Sequence, residues 1–266
     1  MTGPVVVTLD GRAASDVALA AASQLVRASR LRVLSVMRLP QLVLTDLGSS
    51  RSPESLEQLR HLVRAQIRRV RGEVPEVRLD LRSGPAPAAI AAFAEACNAS
   101  MLVVGLGQSN VRDRLLSEES AFHIARLSTM PVLGVGERGM APPVRVVVAM
   151  DGSPASRRVA VLAREIAAPD ARISLIHVRA PAAPAMSPGS LEGQAESLQR
   201  GHLGHVEAVH LEGDPATELL AFASEHATDL LAIGRRVNQA RPRGVMGTVA
   251  TRVIRCTPCS FLTVSG

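Results

Sequence analysis

The chain repeats itself. "PVVVTLDGRAASDVALAAASQL" begins at Pro4 and "VRVVVAMDGSPASRRVAVLAREI" begins at Val144. Each is an apolar run, then Asp-Gly, then an alanine-rich stretch with amphipathic spacing. Asp10 and Asp151 correspond, 141 positions apart. Further on, "RSGPAPAAIAAFAEACNASMLVVGLG" (Arg82 to Gly107) parallels "LEGDPATELLAFASEHATDLLAIGRR" (Leu211 to Arg236). Gly84 pairs with Gly213, Phe93 with Phe222 and Gly105 with Gly234, all 129 positions apart. "TMPVLGV" and "PCSFLTV" close the two copies in the same register. A constant offset over about fifty residues marks a duplication. The first copy carries 12 more residues than the second, in its middle. The fold must therefore be one that a half of this 266-residue chain can build twice, and a half is of ordinary domain size.

Each copy reads β-α-β-α-β-α-β-α-β. In the second, short apolar runs bounded by Gly, Pro or Asp predict strands near 144–150, 172–178, 206–211, 229–233 and 260–264. Runs of that kind suit parallel strands buried on both faces. The stretches between them have helical spacing, as in 215–227, where Asp214 suits an N-cap and Pro215 the first turn. Strand-helix alternation predicts an α/β fold: two tandem doubly wound parallel five-stranded sheets, Rossmann-like, over residues 1–138 and 142–266. "GERGMAPP", Gly136 to Pro143, reads as the linker. "RAPAAPAMSPGSLEG", Arg179 to Gly193, reads as a loop rich in Pro, Ala, Ser and Gly.

Composition narrows the function. The net charge of +6 is spread over both halves as arginine without a like-charge run, and only four residues are aromatic, all Phe. A nucleic-acid binder shows a concentrated basic patch or a stacking platform, so none is expected here. No stretch reaches the roughly 18 apolar residues of a membrane span, and "MTGPVVVTLD" has no basic n-region. Three cysteines, an odd count, argue against a disulfide framework. The expectation is a soluble cytoplasmic protein.

In doubly wound sheets, ligands bind at the carboxyl ends of the strands where strand order reverses. Asp151 follows the first strand of the second copy and Gly234 lies at the end of its fourth, so the two should be neighbours across that crevice. A carboxylate there accepts a hydrogen bond from an amino group or a sugar hydroxyl. After Gly234 comes "GRRVNQARPRGVMGT", which ends at Thr248 and carries four arginines. Gly247-Thr248 at the start of "TVATRVIR" would offer helix N–H groups, a hydroxyl and the positive end of a helix dipole to phosphate.

These features together resemble the universal stress protein family, over essentially the whole chain, as a tandem two-domain member. Its nucleotide-binding members carry Gly-x2-Gly-x9-Gly-(Ser/Thr) after the fourth strand. The second copy has Gly234, then Val237 in place of the second glycine, then Gly247-Thr248. The resemblance implies that ATP, with or without Mg, is the ligand. Asp151 and Val178 would flank the adenosine. Ile233, Gly234, Arg235, Arg236 and Val237 would form the phosphate loop, and Gly247 and Thr248 would hold the terminal phosphates. The first copy has Gly105 and Gln108, but Glu118 and Glu119 stand where Gly247 and Thr248 do. Carboxylates there repel phosphate, so the first copy is not expected to bind ATP, although Asp10 remains. Family domains associate through the edge of the last strand. A tandem chain can thus form an intramolecular pseudo-dimer, with or without further homodimerisation.

Other candidates weigh less. Cys256-Thr-Pro-Cys259 is a C-x-x-C, but it lies before the last strand and not after the first, so packing is expected in place of redox chemistry. His202, His205 and His210 suggest a metal, yet 205 and 210 should face opposite sides of a strand, so no metal site is expected. Arg241 and Arg243 have equal claims as phosphate contacts and as solvated loop residues. Asp-Gly after a strand is also a good helix entry. No catalytic residue is identified. The Ser-Gly-Gly-x-Asp loop of adenylate-forming enzymes is absent from "DGSPAS" and "DGRAAS". The expected function is nucleotide-dependent stress signalling through an unknown protein partner. The rival is a nucleotide-free scaffold, to which Val237 would consign the chain.

Overall fold

The computed structural model describes residues 2–37, 53–72, 77–107, 120–137, 139, 141–180, 189–235 and 246–266. The first half runs β1 (Val5–Thr8), α1 (Ala13–Leu25), β2 (Leu31–Met37), α2 (Pro53–Arg71), β3 (Arg78–Ser83), α3 (Ala86–Ala96), β4 (Met101–Gly105), α4 (described over 120–127) and β5 (Val132–Val135). The second runs β6 (Arg145–Ala149), α5 (Pro154–Ile166), β7 (Arg172–Arg179), α6 (Ser190–Gln199), β8 (His205–Glu212), α7 (Pro215–Glu225), β9 (Leu230–Arg235), α8 (Thr248–Cys256) and β10 (Ser260–Ser265). All five predicted strands of the second copy form, within two residues of their expected ends.

Local chemistry explains the helix starts. Asp214 Oδ1 accepts from the Thr217 N–H at 2.9 Å, and Pro215 needs no N–H in the first turn. Ser153 and Pro154 do the same for α5, with Ser153 Oγ accepting from the Ser156 N–H at 3.2 Å. The repeat extends to backbone conformation. Asn98 and Ala227, again 129 apart, both take a left-handed φ, 49° and 48°. The predicted loop from Arg179 to Gly193 is shorter than the sequence suggested. Strand β7 includes Arg179, and α6 begins at Ser190 after Gly189 at φ 75°. Leu191, fully buried, pulls that end of the segment into the core. Residues 181–188 lie outside the described residues.

The strands form one ten-stranded sheet, in the order β3-β2-β1-β4-β5-β10-β9-β6-β7-β8. Every neighbouring pair is parallel except β5 and β10, which join the halves antiparallel. At that seam Leu133 lies opposite Leu262, its own repeat counterpart. A pseudo-twofold axis therefore passes between them. Gly134 lies opposite Phe261, which is fully buried. A Cβ on Gly134 would stand 2.3 Å from the Phe261 ring, so the ring occupies the place of the missing side chain. Two apolar layers cover the sheet, and each runs through both halves. One lies under α1, α2, α5 and α6, the other under α3, α4, α7 and α8.

This seam predicts a coupled pair. Gly134→Val should cost about 2–3 kcal/mol by overpacking. Phe261→Val in the same chain should recover part of that loss, because the pair shares one space. Urea unfolding of the two single variants and the double variant measures the coupling. Additive costs would mean that ring and glycine do not share the space.

Candidate functional site

Strand order reverses between β1 and β4 in the first half and between β6 and β9 in the second. In the second, Ala149 is paired with Ile233, so the chain leaving β6 runs beside the end of β9. Asp151 stands just past β6, exposed, and its Oδ1 accepts from the Ser153 N–H at 3.0 Å. That bond turns the chain into α5. Asp10 does the same, accepting from the Arg12 N–H at 3.1 Å and the Ser15 hydroxyl at 2.9 Å. The carboxylates at the two crevices are thus set by the same turn. A further tie has no signal in the sequence. His177 Nδ1 is 2.9 Å from the Met150 carbonyl, which fixes the end of β7 to the peptide before Asp151.

Val178 and Ile233 are buried in the same apolar layer, on the α7/α8 side of the sheet. Gly234 has a packing reason of its own. A Cβ there would stand 2.7 Å from the Ser156 nitrogen and 2.8 Å from the Ala155 carbonyl carbon. Its counterpart Gly105 is tighter, at 2.2 Å from the Ala14 carbonyl oxygen. Both glycines let the first turn of a helix, α1 or α5, lie directly on the sheet. Gly247 is different. It is the N-cap of α8, with φ −61°, no side-chain cap bond and open space where a Cβ would stand. Thr248 is the first residue of that helix. Arg236 and Val237 lie outside the described residues, as do Gln108, Glu118 and Glu119 of the first copy.

Arg235 is placed where the sequence did not point. Its side chain is only 4% exposed, and its guanidinium donates to the Ser128 carbonyl at 2.8 Å, across the seam in the first half. Ser128 follows α4, so the cation meets the negative end of a helix dipole. Burial pushes the Arg235 pKa down to about 10, which leaves it charged at neutral pH. The Arg235 side chain therefore binds the two halves together.

The first half has a formed crevice too. A cavity of about 280 Å³ lies between Asp10 just past β1, Ser15 on α1, Val104 and Gly105 on β4, and Ile124 on α4. It is at the small end of ligand cavities. Of the two cysteines of the C-x-x-C, Cys256 is exposed and Cys259 packs inward. Cys259 is half-buried, and burial pushes its thiol pKa up, away from thiolate reactivity. Among the histidines, His202 Nε2 lies 2.7 Å from the Ala171 carbonyl and His210 Nε2 lies 2.8 Å from Glu192, while His205 lies on the other face of β8 beside Glu207. Among the described residues no group of three or more His, Cys, Asp or Glu is arranged to hold a metal ion. No helix there is long and apolar enough to cross a membrane.

The two glycines give a discriminating prediction. Gly234→Ala should lower stability by about 2 kcal/mol, because the new Cβ meets backbone. Gly247→Ala, with open space for its Cβ, should cost less, about 0.5–1 kcal/mol for a poorer N-cap. Thermal unfolding of both variants checks this, and equal effects would contradict the packing reading of Gly234.

No curated protein matches the sequence. Among solved structures, a universal stress protein from Archaeoglobus fulgidus DSM 4304 is 18% identical with TM-score 0.69, covering 98% of each chain. A universal stress protein candidate from Pseudomonas aeruginosa UCBPP-PA14 is 13% identical with TM-score 0.62, covering 98% of this chain and 92% of its own. A universal stress protein in complex with cAMP is 27% identical with TM-score 0.40, covering 47% of this chain and 98% of its own. The sequence model of the Universal stress protein family matches twice, over residues 1–136 and 144–265. With both halves matched, the chain belongs to the universal stress protein family, as a tandem member.

Proposed function

We propose that the protein binds an adenine nucleotide, ATP, in the crevice of its second half, and that occupancy changes its conformation or its affinity for a protein partner in a stress response. The observation that supports this reading is the parallel pairing of β6 with β9, whose last pair, Ala149 and Ile233, brings the two strand ends that lead to Asp151 and Gly234 together at the reversal of strand order. The Asp151 carboxylate would accept from the adenine amino group or a ribose hydroxyl. Val178 and Ile233 would supply apolar walls. Backbone N–H groups of Gly234, Arg235, Arg236 and Val237 would face the phosphates. The Gly247 N–H and the Thr248 hydroxyl would meet the terminal phosphates at the positive end of α8. Mg accompanying the nucleotide would offset part of the phosphate charge. The Arg235 guanidinium has no part in this, being held at Ser128.

A nucleotide-free scaffold is the second reading. The packing of Gly234 against Ala155 and Ser156 favours it, because that contact accounts for the glycine without any ligand.

Calorimetric titration with Mg-ATP separates the two readings. The nucleotide reading expects saturable binding in the micromolar range, about −8 kcal/mol. Asp151→Ala should weaken it, and Gly247→Glu, which fits the open space at Gly247, should abolish it by placing a carboxylate among the phosphates. Affinity unchanged in both variants would overturn the site. No binding to the parent protein would leave the scaffold reading standing.

A further inference from the structure

The two halves differ most instructively around a phenylalanine at the other end of the sheet from Asp151. In the first half, Phe93 on α3 is covered by two guanidiniums. Arg32 Cζ lies 4.8 Å and Arg82 Cζ 5.1 Å from the ring centroid, and Arg32 is tied to Asp80 at 2.8 Å. The register carries these positions into the second half. Arg82 and Asp80 lie 129 positions before Leu211 and Val209, and Arg32 sits one strand over in the place of Ser174. There the two arginines become a serine and a leucine. Phe222, the counterpart of Phe93, is stacked on His226 with ring centroids 3.8 Å apart and planes 10° from parallel.

A cavity of about 400 Å³ opens beside this ring pair, a usual size for a small-ligand site. Val147 and Val209 form its apolar floor. Inside it lies Thr228, only 8% exposed, whose hydroxyl has no hydrogen-bond partner among the described residues. A buried hydroxyl without a partner is costly, so it marks a place where a polar group fits. At the rim stand Arg145 and Arg172, the first residues of β6 and β7, with side chains 52% and 63% exposed. The rim carboxylate of Glu207 is engaged: it takes both arms of Arg172, at 3.2 and 3.0 Å, and the Ser174 hydroxyl at 2.7 Å. Arg145 is held loosely. It lies 3.8 Å from Asp229, which already accepts the Val144 and Arg145 N–H groups.

We infer that this cavity binds a small aromatic carboxylate of the hydroxybenzoate class. Its ring packs on the Phe222–His226 pair, its carboxylate meets Arg145 and Arg172 at the rim, and its hydroxyl meets Thr228 inside. The site is separate from the nucleotide crevice and does not depend on it. Of the two equivalent positions, the one in the second half is open, because Arg32 and Arg82 fill the space in the first.

The test is calorimetric titration of the full chain with 4-hydroxybenzoate and benzoate, with benzylamine as the cationic control. The expected result is one saturable site per chain, 4-hydroxybenzoate tighter than benzoate, and no binding of benzylamine. Ser174→Arg puts an arginine where the first half has Arg32 and should weaken binding by at least about tenfold by filling the cavity, while the thermal midpoint shows that the fold is kept. Arg145→Gln, at an exposed side chain, should weaken both acids by roughly fivefold, the loss of one charge-assisted bond. Thr228→Val should erase the difference between the two acids. Benzylamine binding as well as benzoate, unchanged affinity in both Ser174→Arg and Arg145→Gln, or no saturable binding would each overturn the assignment.

Discussion

The antiparallel pairing of β5 with β10 is the contact on which the rest of the molecule depends. Both strands are apolar and buried, and neither could stand as a free edge without inviting association. Joined, they merge two five-stranded sheets into one and let each apolar layer run unbroken through both halves. The fit is a matter of size as well as register, with the Phe261 ring filling the space over Gly134. Because this pair is antiparallel, the carboxyl ends of the strands point to opposite edges in the two halves. The carboxyl end of β10 therefore lies beside the amino end of β5, with the end of β9 one strand beyond, and this is why Ser265 donates to the Thr129 carbonyl and why the long side chain of Arg235 reaches Ser128.

That geometry joins the candidate nucleotide crevice to the other half. Arg235 opens the segment that would hold phosphate, and its buried guanidinium is anchored at the end of α4. The beginning of α4 lines the first-half cavity. Burying a guanidinium costs desolvation, which its bond to the Ser128 carbonyl offsets in part. The value of that bond lies in fixing where β9 ends relative to the opposite half.

The repeat made the architecture legible, since apolar runs and helix caps such as Asp214-Pro215 are local signals. The order of strands at the reversal point follows from topology rules, and the ends of β6 and β9 do meet there, Ala149 opposite Ile233. What the sequence could not convey is long-range. Gly234 looks like a phosphate-loop glycine, yet its closest neighbours are Ala155 and Ser156, almost eighty positions earlier. Arg235 looks like a phosphate ligand, yet it turns to Ser128. His177 carried no motif, and its bond to Met150 appears only when β6 and β7 are paired. Phe93 and Phe222 align as letters, but their surroundings diverge because Arg32 and Arg82 became Ser174 and Leu211 on other strands.

Duplication followed by divergence is thus the central feature: one scaffold with two unlike halves. The most direct test is the number of ATP molecules bound per chain at saturation, measured by equilibrium dialysis with Mg present. The account predicts one, held by the second half, since Glu118 and Glu119 replace Gly247 and Thr248 in the first. Two equivalent sites per chain, or none, would contradict it.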